Sequence, residues 1–247
     1  MAPANPLVQV TDNVHLAQTP LVNWTLVTGA DGLILIDAGY PGQCTQVLDS
    51  VRQLGYDTGD IQAILLTHAH VDHFGAAISL AAQHQIPVYC HAAEVGHAKR
   101  EYLEQAAPID VARQAWQPRW LKWSWDIVRQ GAFVHDGIPS AQALTAEVAA
   151  TLPGRPVAIP TPGHTGGHCS YLVDGVLVSG DALVTGHPTS PTRGPQLLHQ
   201  VFNHDQKACE QSLSVLAGVD AEVLVPGHGD IWRGPIKEMT ERAVPRR

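Results

Sequence analysis

Cysteine and cationic side chains are both scarce in this chain of 247 residues. The four cysteines, at positions 44, 90, 169 and 209, are far apart and form no CxxC pair, so neither a zinc ribbon nor a disulfide framework is indicated. Fifteen Lys and Arg stand against 23 Asp and Glu, which gives a net charge of −8 and lacks the basic surface that nucleic-acid binding needs. We therefore predict a protein of the reducing cytoplasm that has no nucleic-acid partner.

Long hydrophobic runs are also missing. No stretch approaches the roughly 18 consecutive apolar residues of a membrane-spanning helix. The first residues, MAPANPLVQVTDNVHL, lack the basic and apolar regions of a secretory signal. We expect a protein that is neither exported nor stably inserted in a membrane. Its 45% hydrophobic residues are sufficient for a buried core, which excludes a disordered chain.

Short apolar segments alternate with helical patterns along the chain, and this alternation predicts an α/β fold. Strands are expected around 7–18, 23–28, 32–39, 61–67, 87–90, 157–159, 170–173, 176–179 and 222–225, and helices around 43–54 and 74–83. The segment around 92–150 is poor in strands and is predicted to be a helical insertion. We expect a single domain over 1–247.

Histidine, in contrast, is abundant, with 14 residues. Four side chains of the metal-ligand type occur within the six residues HAHVDH, which follow the predicted strand 61–67. Residues two apart in an extended segment project to the same side, so His68 and His70 are expected to share one metal ion. Asp72 and His73, at the turn into the next helix, point in another direction and are candidates for a second ion.

Such a cluster cannot complete two coordination spheres by itself, so further ligands are expected far along the chain. Three loops that follow predicted strands supply them, with His164 in PGHTGGH, Asp181 in SGDAL and His228 in VLVPGHG. Glycine in each loop allows the backbone to turn sharply, so that the three side chains can face a common point. The sequence therefore predicts a metal site built from four separate loops.

In order and spacing, HAHVDH, PGHTGGH, SGDAL and VLVPGHG resemble the metallo-β-lactamase superfamily, particularly its dinuclear hydrolases such as glyoxalase II and the acyl-homoserine lactonases. The resemblance covers essentially the whole chain and implies an αββα sandwich of two mixed sheets with outer helices. The implied ligands are His68, His70 and His164 for the first metal, Asp72, His73 and His228 for the second, and Asp181 as the bridge. It also implies that Asp37, in LIDAG, supports the metal loop through hydrogen bonds.

Chemistry agrees with the implied ligand set. Two divalent ions roughly 3.5–4 Å apart repel each other, so a bridging carboxylate and a bridging hydroxide are needed to neutralise the pair. The hydroxide is then the nucleophile, and Asp72 is expected to orient it or carry its proton. Zinc is the expected metal, with iron and manganese as alternatives because His and Asp ligands accept all three. The predicted reaction is hydrolysis of an ester, thioester or lactone.

Other activities fit the sequence less well. β-Lactamases of the superfamily are exported and lack the bridging aspartate, and its nucleases usually carry further domains and basic surfaces, so β-lactamase and phosphodiesterase activities are disfavoured. Two alternatives stay open. One is an iron-dependent oxidoreductase of the same fold, and the other is a metal-binding regulatory module without catalysis.

Four of the six tryptophans lie in the segment 116–125, where Pro118 is expected to begin an amphipathic helix. Three interpretations of this helix stay open: it packs on the sheets or in a homodimer interface, it forms a lid over a hydrophobic substrate pocket, or it binds a membrane surface. As a lid, it would bring Trp120 and Trp123 to a small-molecule substrate. His187, in the loop after Asp181, is a further candidate for the substrate pocket.

Overall fold

Two mixed β-sheets form the centre of the molecule, in a computed structural model that describes residues 7–244. The ends of the predicted domain, 1–6 and 245–247, lie outside the described residues. The seven strands of the first sheet lie side by side in chain order, as β1 (Leu7–Gln9), β2 (Val14–Ala17), β3 (Trp24–Gly29), β4 (Gly32–Ile36), β5 (Ile61–Leu65), β6 (Val88–Cys90) and β7 (Gln142–Ala143). The second sheet contains β8 (Val157–Pro160), β9 (Cys169–Val173), β10 (Val176–Gly180), β11 (Val223–Pro226) and β12 (Trp232–Arg233).

Strand directions explain why both sheets are mixed. In the first sheet, the neighbouring pairs from β1 to β4 are antiparallel, and the neighbouring pairs from β4 to β7 are parallel. In the second sheet β10 and β11 are parallel, and the other neighbours are antiparallel. The parallel pairs need long connections along the chain, and the helices supply them.

The helices of the described residues are α1 (Cys44–Gln53), α2 (Val71–His84), α3 (Val95–Ala98), α4 (Pro108–Ala112), α5 (Pro118–Arg129), α6 (Ala146–Thr151), α7 (Gln206–Leu216) and α8 (Ile236–Ala243). The helices α1 and α2 pack on the outer face of the first sheet, and α7 and α8 pack on the outer face of the second. The predicted insertion around 92–150 contains α3 to α6 and the two-residue strand β7. No helix in the described part of the chain is long and apolar enough to cross a bilayer.

Strand β4 shows how the sequence produces these layers. Its residues are apolar throughout, and both of its faces are buried. Ile34 and Ile36 join the core between the two sheets, whereas Leu33 and Leu35 join the core beneath α1 and α2. Because successive side chains of a strand point to opposite faces, one apolar strand can connect both cores. The predicted αββα sandwich is confirmed.

Several boundaries differ from the predicted elements; the predicted strands 32–39 and 61–67, for example, end at Ile36 and Leu65. The predicted strand 7–18 is a hairpin, because Asp12 and Asn13 form the turn between β1 and β2 and Leu7 pairs with Ala17. The helix α2 begins at Val71, three residues earlier than predicted. The ligand candidates Asp72 and His73 therefore lie in the first helical turn.

Candidate metal centre

Four loops that follow strands, together with the first turn of α2, bring the seven predicted ligands together. His68 and His70 lie in the loop between β5 and α2, and the other loops follow β8, β10 and β11. Close approach of the backbones requires glycine. Gly180, with φ of 52°, turns the chain into Asp181. A side chain at Gly227 would clash with the Asp181 carboxylate and with the His73 ring. The loops can therefore converge only because these positions lack a Cβ.

The candidate donor atoms form three groups of three, of which one, His68, His73 and Asp181, overlaps the other two. The first group is His68, His70 and His164, and the second group is Asp72, His73 and His228. Within each group, one donor atom from each residue lies within 4.8 Å of the other two. Each group is thus compact enough for one metal ion, and each combines one pair of residues close in sequence with one distant residue.

Asp181 lies between the two groups. Its Oδ2 atom is 3.3 Å from the Nε2 atoms of both His164 and His228, and its Oδ1 atom is 3.4 Å from Nε2 of His73. His168 fixes its position, because the Nε2 atom of that ring accepts a hydrogen bond from the Asp181 backbone N–H at 3.1 Å. One carboxylate therefore reaches both groups, as a bridging ligand must.

Hydrogen bonds from the Nδ1 atoms of four histidines leave their Nε2 atoms free for the centre. The acceptors are Thr67 Oγ1 for His68 at 3.0 Å, Asp37 Oδ2 for His73 at 2.8 Å, Asn203 Oδ1 for His164 at 2.9 Å and the Leu21 carbonyl for His228 at 2.6 Å. His70 is reversed, since its Nε2–H donates to the Glu104 carbonyl oxygen and leaves Nδ1 free. In its neutral form, each ring is thus held in the tautomer that presents one lone pair to the centre.

Three buried polar atoms of this centre have no hydrogen-bond partner among the described residues: His68 Nε2, His164 Nε2 and Asp181 Oδ1. An unsatisfied buried polar atom costs about 1–3 kcal/mol. A divalent cation would satisfy all three atoms, and imidazole nitrogen with carboxylate oxygen is a donor set that zinc, iron and manganese accept. The residues present therefore fit a metal centre.

Burial lowers the pKa values of the histidines, and nearby carboxylates raise them. Burial lowers the pKa of His68 well below its ordinary value, and the pKa values of the other two histidines of the first group also shift downward. Burial opposes the charged form of His228 as well, but the carboxylates of Asp181 and Asp72 outweigh it and raise its pKa to about 9. The same carboxylates raise the pKa of His73. The second group thus attracts positive charge strongly, as a cation site should.

Glu94 is a residue of this centre that the sequence did not reveal. It is fully buried, and Oε1 accepts hydrogen bonds from the Ala69 backbone N–H and from Nδ1 of His97, both at 2.8 Å. Oε2 accepts from Thr165 Oγ1 at 2.8 Å and from the Gly167 backbone N–H at 3.0 Å. Burial opposes its ionisation, but the hydrogen bonds outweigh burial and lower its pKa. This single carboxylate ties together the two loops that carry the first group.

A cavity of about 430 Å³ opens over the centre. Asp72 and Asp181 lie at its floor, and its walls come from α4 and α5 together with Phe133, Leu198 and Phe202. Among the described residues that line it, none is lysine or arginine. Five of the seven ligand candidates, all but His68 and His73, therefore line a pocket whose walls are mostly apolar.

The three predicted substrate-contacting residues lie at different depths. His187 lines the cavity, with its ring centroid 4.7 Å from that of His228. Trp123 also lines the cavity, and its ring centroid lies 5.6 Å from that of His187. Trp120 does not line the cavity, since its ring is buried behind the wall and stacks on Phe202 at 5.3 Å. Trp120 thus lies behind the wall and supports it through Phe202.

Tyr40, directly after LIDAG, lines the same cavity and was not among the predicted residues. Burial, and then the carboxylates of Asp72 and Asp181, raise its pKa well above its ordinary value. Its phenol therefore stays neutral and keeps a proton to donate. No sequence motif marked it, because a tyrosine after a strand is most often a core residue.

Comparisons with known proteins agree with this geometry. The family model of the metallo-beta-lactamase superfamily matches residues 19–228. The probable metallo-hydrolase YflN of Bacillus subtilis is 30% identical over 230 residues, which are 88% of this chain and 80% of YflN. A hydroxyacylglutathione hydrolase of Alkalilimnicola ehrlichii is 29% identical over 146 residues, which are 59% of this chain and 41% of that protein.

The fold of this chain is also similar to that of solved structures. The crystal structure of a metallo-beta-lactamase family protein from Thermus thermophilus aligns with a TM-score of 0.65 at 23% identity, and the alignment covers 95% of this chain and 79% of that chain. This similarity concerns the fold, whereas the family match spans the four ligand loops. The chain therefore belongs to the metallo-beta-lactamase superfamily.

Proposed function

We propose that this protein is a dinuclear metal-dependent hydrolase that cleaves a carboxylic ester, thioester or lactone with an apolar acyl or ring portion. One observation carries the proposal: two three-residue ligand groups share Asp181 at the floor of a largely apolar cavity. The first group would hold one divalent ion and the second group the other, with zinc as the expected metal and iron or manganese as alternatives. Such ions supply a Lewis acid for the carbonyl and a nucleophile from water near neutral pH.

Asp72 is the residue best placed to handle the proton of the attacking water. Its Oδ2 atom lies 3.4 Å from Nε2 of His228 and 3.7 Å from Nε2 of His73, so it belongs to the second group. It is also partly exposed to the cavity, in contrast to the buried Asp181. A carboxylate that faces both the ligands and the substrate can orient water and accept its proton.

His187 would act as a neutral hydrogen-bond donor to the substrate. Its Nδ1 atom accepts a hydrogen bond from the Thr189 backbone N–H at 3.2 Å, so the ring proton is on Nε2. Burial is the main cause that lowers the pKa of His187 to about 3, which keeps the ring neutral. Nε2–H has no partner among the described residues, and the ring lines the cavity. It can therefore donate to an oxygen that gains charge in the transition state.

The walls of the cavity favour a substrate that is neutral away from its reacting carbonyl. No lysine or arginine lines them among the described residues, so a second carboxylate or a phosphate of a substrate, held away from the metal ions, would find no guanidinium or ammonium counter-charge there. This disfavours three classes of charged substrate: β-lactam antibiotics, because of their carboxylate, glutathione conjugates and phosphodiesters. It also agrees with the acidic net charge of −8, which disfavours a nucleic-acid substrate.

Zinc-loaded protein assayed on matched panels tests the proposal. Neutral aryl esters, acyl thioesters and lactones should be hydrolysed, and the His164→Ala variant should lose this activity. The His84→Ala variant is the matched control, because His84 is exposed at the end of α2 and belongs to neither group. Turnover of phosphodiesters or β-lactams alone, or oxygen consumption with bound iron and no hydrolysis, would contradict the proposal.

A reducing compartment is part of the same proposal. All four cysteines are free, and Cys90, Cys169 and Cys209 are buried. Burial raises the pKa of Cys169 and Cys209 to about 12, so their thiols stay protonated and unreactive. These two thiols therefore have a packing role and are unsuited to act as a nucleophile.

A further inference from the structure

Exposed apolar side chains are concentrated in the segment that supplies much of the cavity wall. Eleven large apolar side chains are exposed among the described residues, and six of them lie in the segment 108–133, which we call the rim segment. The six are Ile109, Trp116, Leu121, Trp125, Val128 and Phe133. Trp116 is 80% exposed and Trp125 is 65% exposed. A soluble protein rarely concentrates its exposed apolar surface in this way unless a partner covers it.

The sequence predicted one continuous apolar face on α5, but the structure divides that face. Trp120 and Trp123 turn into the protein, and Leu121, Trp125 and Val128 turn outward. Leu121 and Val128 also line the cavity, so the outward surface is continuous with the substrate entrance. Whatever covers the rim segment therefore also lies at the entrance.

The charge of the rim segment is opposite to that of the rest of the protein. It contains four Lys and Arg and only two Asp, whereas the whole chain has a net charge of −8. Both aspartates are already paired within the segment, Asp110 with Arg113 and Asp126 with Lys122. Among the described residues no carboxylate pairs with Arg119 or Arg129. Unpaired cations next to exposed tryptophans favour an anionic partner.

A second copy of this chain fits the rim segment poorly. In an antiparallel two-fold contact between α5 helices, Arg119 would face Arg129 of the other copy, and in a parallel contact each arginine would face itself. The rim segment has no unpaired carboxylate to compensate this repulsion. A copy seated there would also cover the mouth of the cavity. Charge complementarity thus disfavours a homodimer through this surface.

We propose that the rim segment docks on the surface of an anionic lipid bilayer. Trp116 and Trp125 would lie at the headgroup level, where amphipathic rings are favoured, and Arg119 and Arg129 would contact lipid phosphates. The cavity mouth then faces the bilayer, so an amphiphilic ester or thioester could enter without crossing water. This is surface binding by a short helix, and within residues 7–244 no helix is long and apolar enough to cross the bilayer. Docking does not depend on the proposed hydrolysis, because binding is measurable without turnover.

Co-sedimentation of the metal-loaded protein with vesicles tests the proposal. One vesicle preparation mixes phosphatidylcholine with phosphatidylglycerol, and the other contains phosphatidylcholine alone. We expect binding to the anionic vesicles that weakens about tenfold in the double variant Trp116→Ser/Trp125→Ser, and comparably in Arg119→Glu/Arg129→Glu. Val157→Ser/Val215→Ser is the matched control, since both valines are exposed outside the rim segment, and it should bind like the wild type.

Three results would overturn the proposal. The wild-type protein could stay in the supernatant at every concentration of anionic lipid. The tryptophan variant, shown to be folded by its circular dichroism and metal content, could bind the vesicles as well as the wild type. Finally, analytical ultracentrifugation could show a dimer that the tryptophan variant dissociates while no vesicle binding occurs, which would identify a second copy as the occupant.

Discussion

Asp37 and His73 form a buried pair that fixes one ligand of the candidate metal centre. Oδ2 of Asp37 accepts a hydrogen bond from Nδ1 of His73 at 2.8 Å. The same carboxylate accepts from the backbone N–H and the hydroxyl of Thr67, both at 2.8 Å. Asp37 therefore positions both the start of the first ligand loop and a ring in the first turn of α2, as the family resemblance implied.

Asp37→Asn should weaken metal binding without unfolding the protein. Asparagine keeps the size of the side chain and tolerates the positive φ of 63° at this position. It removes the charge that holds the His73 proton, and a change of this kind costs about 10–100-fold in metal affinity. Competition with a chelator measures the affinity, and Asp31→Asn, at an exposed turn, is the control. Unchanged affinity would show that the pair has no influence on the metals.

Glu94→Gln should destabilise the protein by about 2 kcal/mol. The amide of glutamine places an NH₂ group where two N–H or O–H donors already point, so at least one buried hydrogen bond is lost. Urea unfolding measures the change, with Glu147→Gln, an exposed residue of α6, as the control. We also expect reduced occupancy of the first group, because the two loops lose their common anchor. Equal stability of both variants would contradict this role.

The contrast between the ligands and Glu94 shows what the sequence could and could not predict. The ligand loops follow strands in a fixed order with short internal spacings, so local patterns were sufficient to identify all seven candidates. The α/β class followed from the alternation of apolar strands and amphipathic helices, whereas the αββα sandwich came from the family resemblance. Glu94, however, is a single carboxylate in HAAEVGH, and its partners Thr165 and Gly167 are more than 70 positions away. Only the folded chain brings such partners together.

The division of α5 has a similar cause. Its apolar residues occupy a wide face, and helical spacing alone could not tell which part is buried. Phe202, far along the chain, stacks on Trp120 at 5.3 Å and contacts Trp123 in an edge geometry at 5.4 Å. This long-range contact determines the buried side of the helix and leaves Leu121, Trp125 and Val128 outside.

Metal removal should destabilise the protein. Without cations the three partnerless polar atoms of the centre are unsatisfied, and the carboxylates of Asp72 and Asp181 repel each other. A ligand present at 100 times its Kd stabilises a fold by about 2.7 kcal/mol, so the Tm should fall clearly after chelation and return with zinc. Element analysis of the reloaded protein should give two ions per chain. One ion per chain, or an unchanged Tm, would contradict a dinuclear site.

His187→Ala should reduce kcat about 100- to 1000-fold with little change in metal content. The reason is that His187 belongs to neither ligand group, and its Nε2–H is available only to the substrate. Asp72→Asn should instead lower both kcat and the occupancy of the second group. Kinetics combined with element analysis separate the two effects. A His187→Ala variant that loses a metal ion would assign His187 to the centre itself.

Trp123 and Trp120 offer a comparison of substrate contact with structural support. Trp123→Ala removes apolar wall from the cavity. It should raise KM about tenfold, equivalent to about 1.4 kcal/mol, for substrates with a long acyl portion. For an acetyl ester, KM should change little. Trp120→Ala leaves the lining intact but opens a hole beside Phe202, so it should cost about 3–5 kcal/mol of stability. Thermal unfolding and KM measured on both variants test this pair of expectations. The opposite result would be a Trp120→Ala variant that changes KM as Trp123→Ala does and keeps the Tm of the wild type. It would contradict the division between substrate contact by Trp123 and structural support by Trp120.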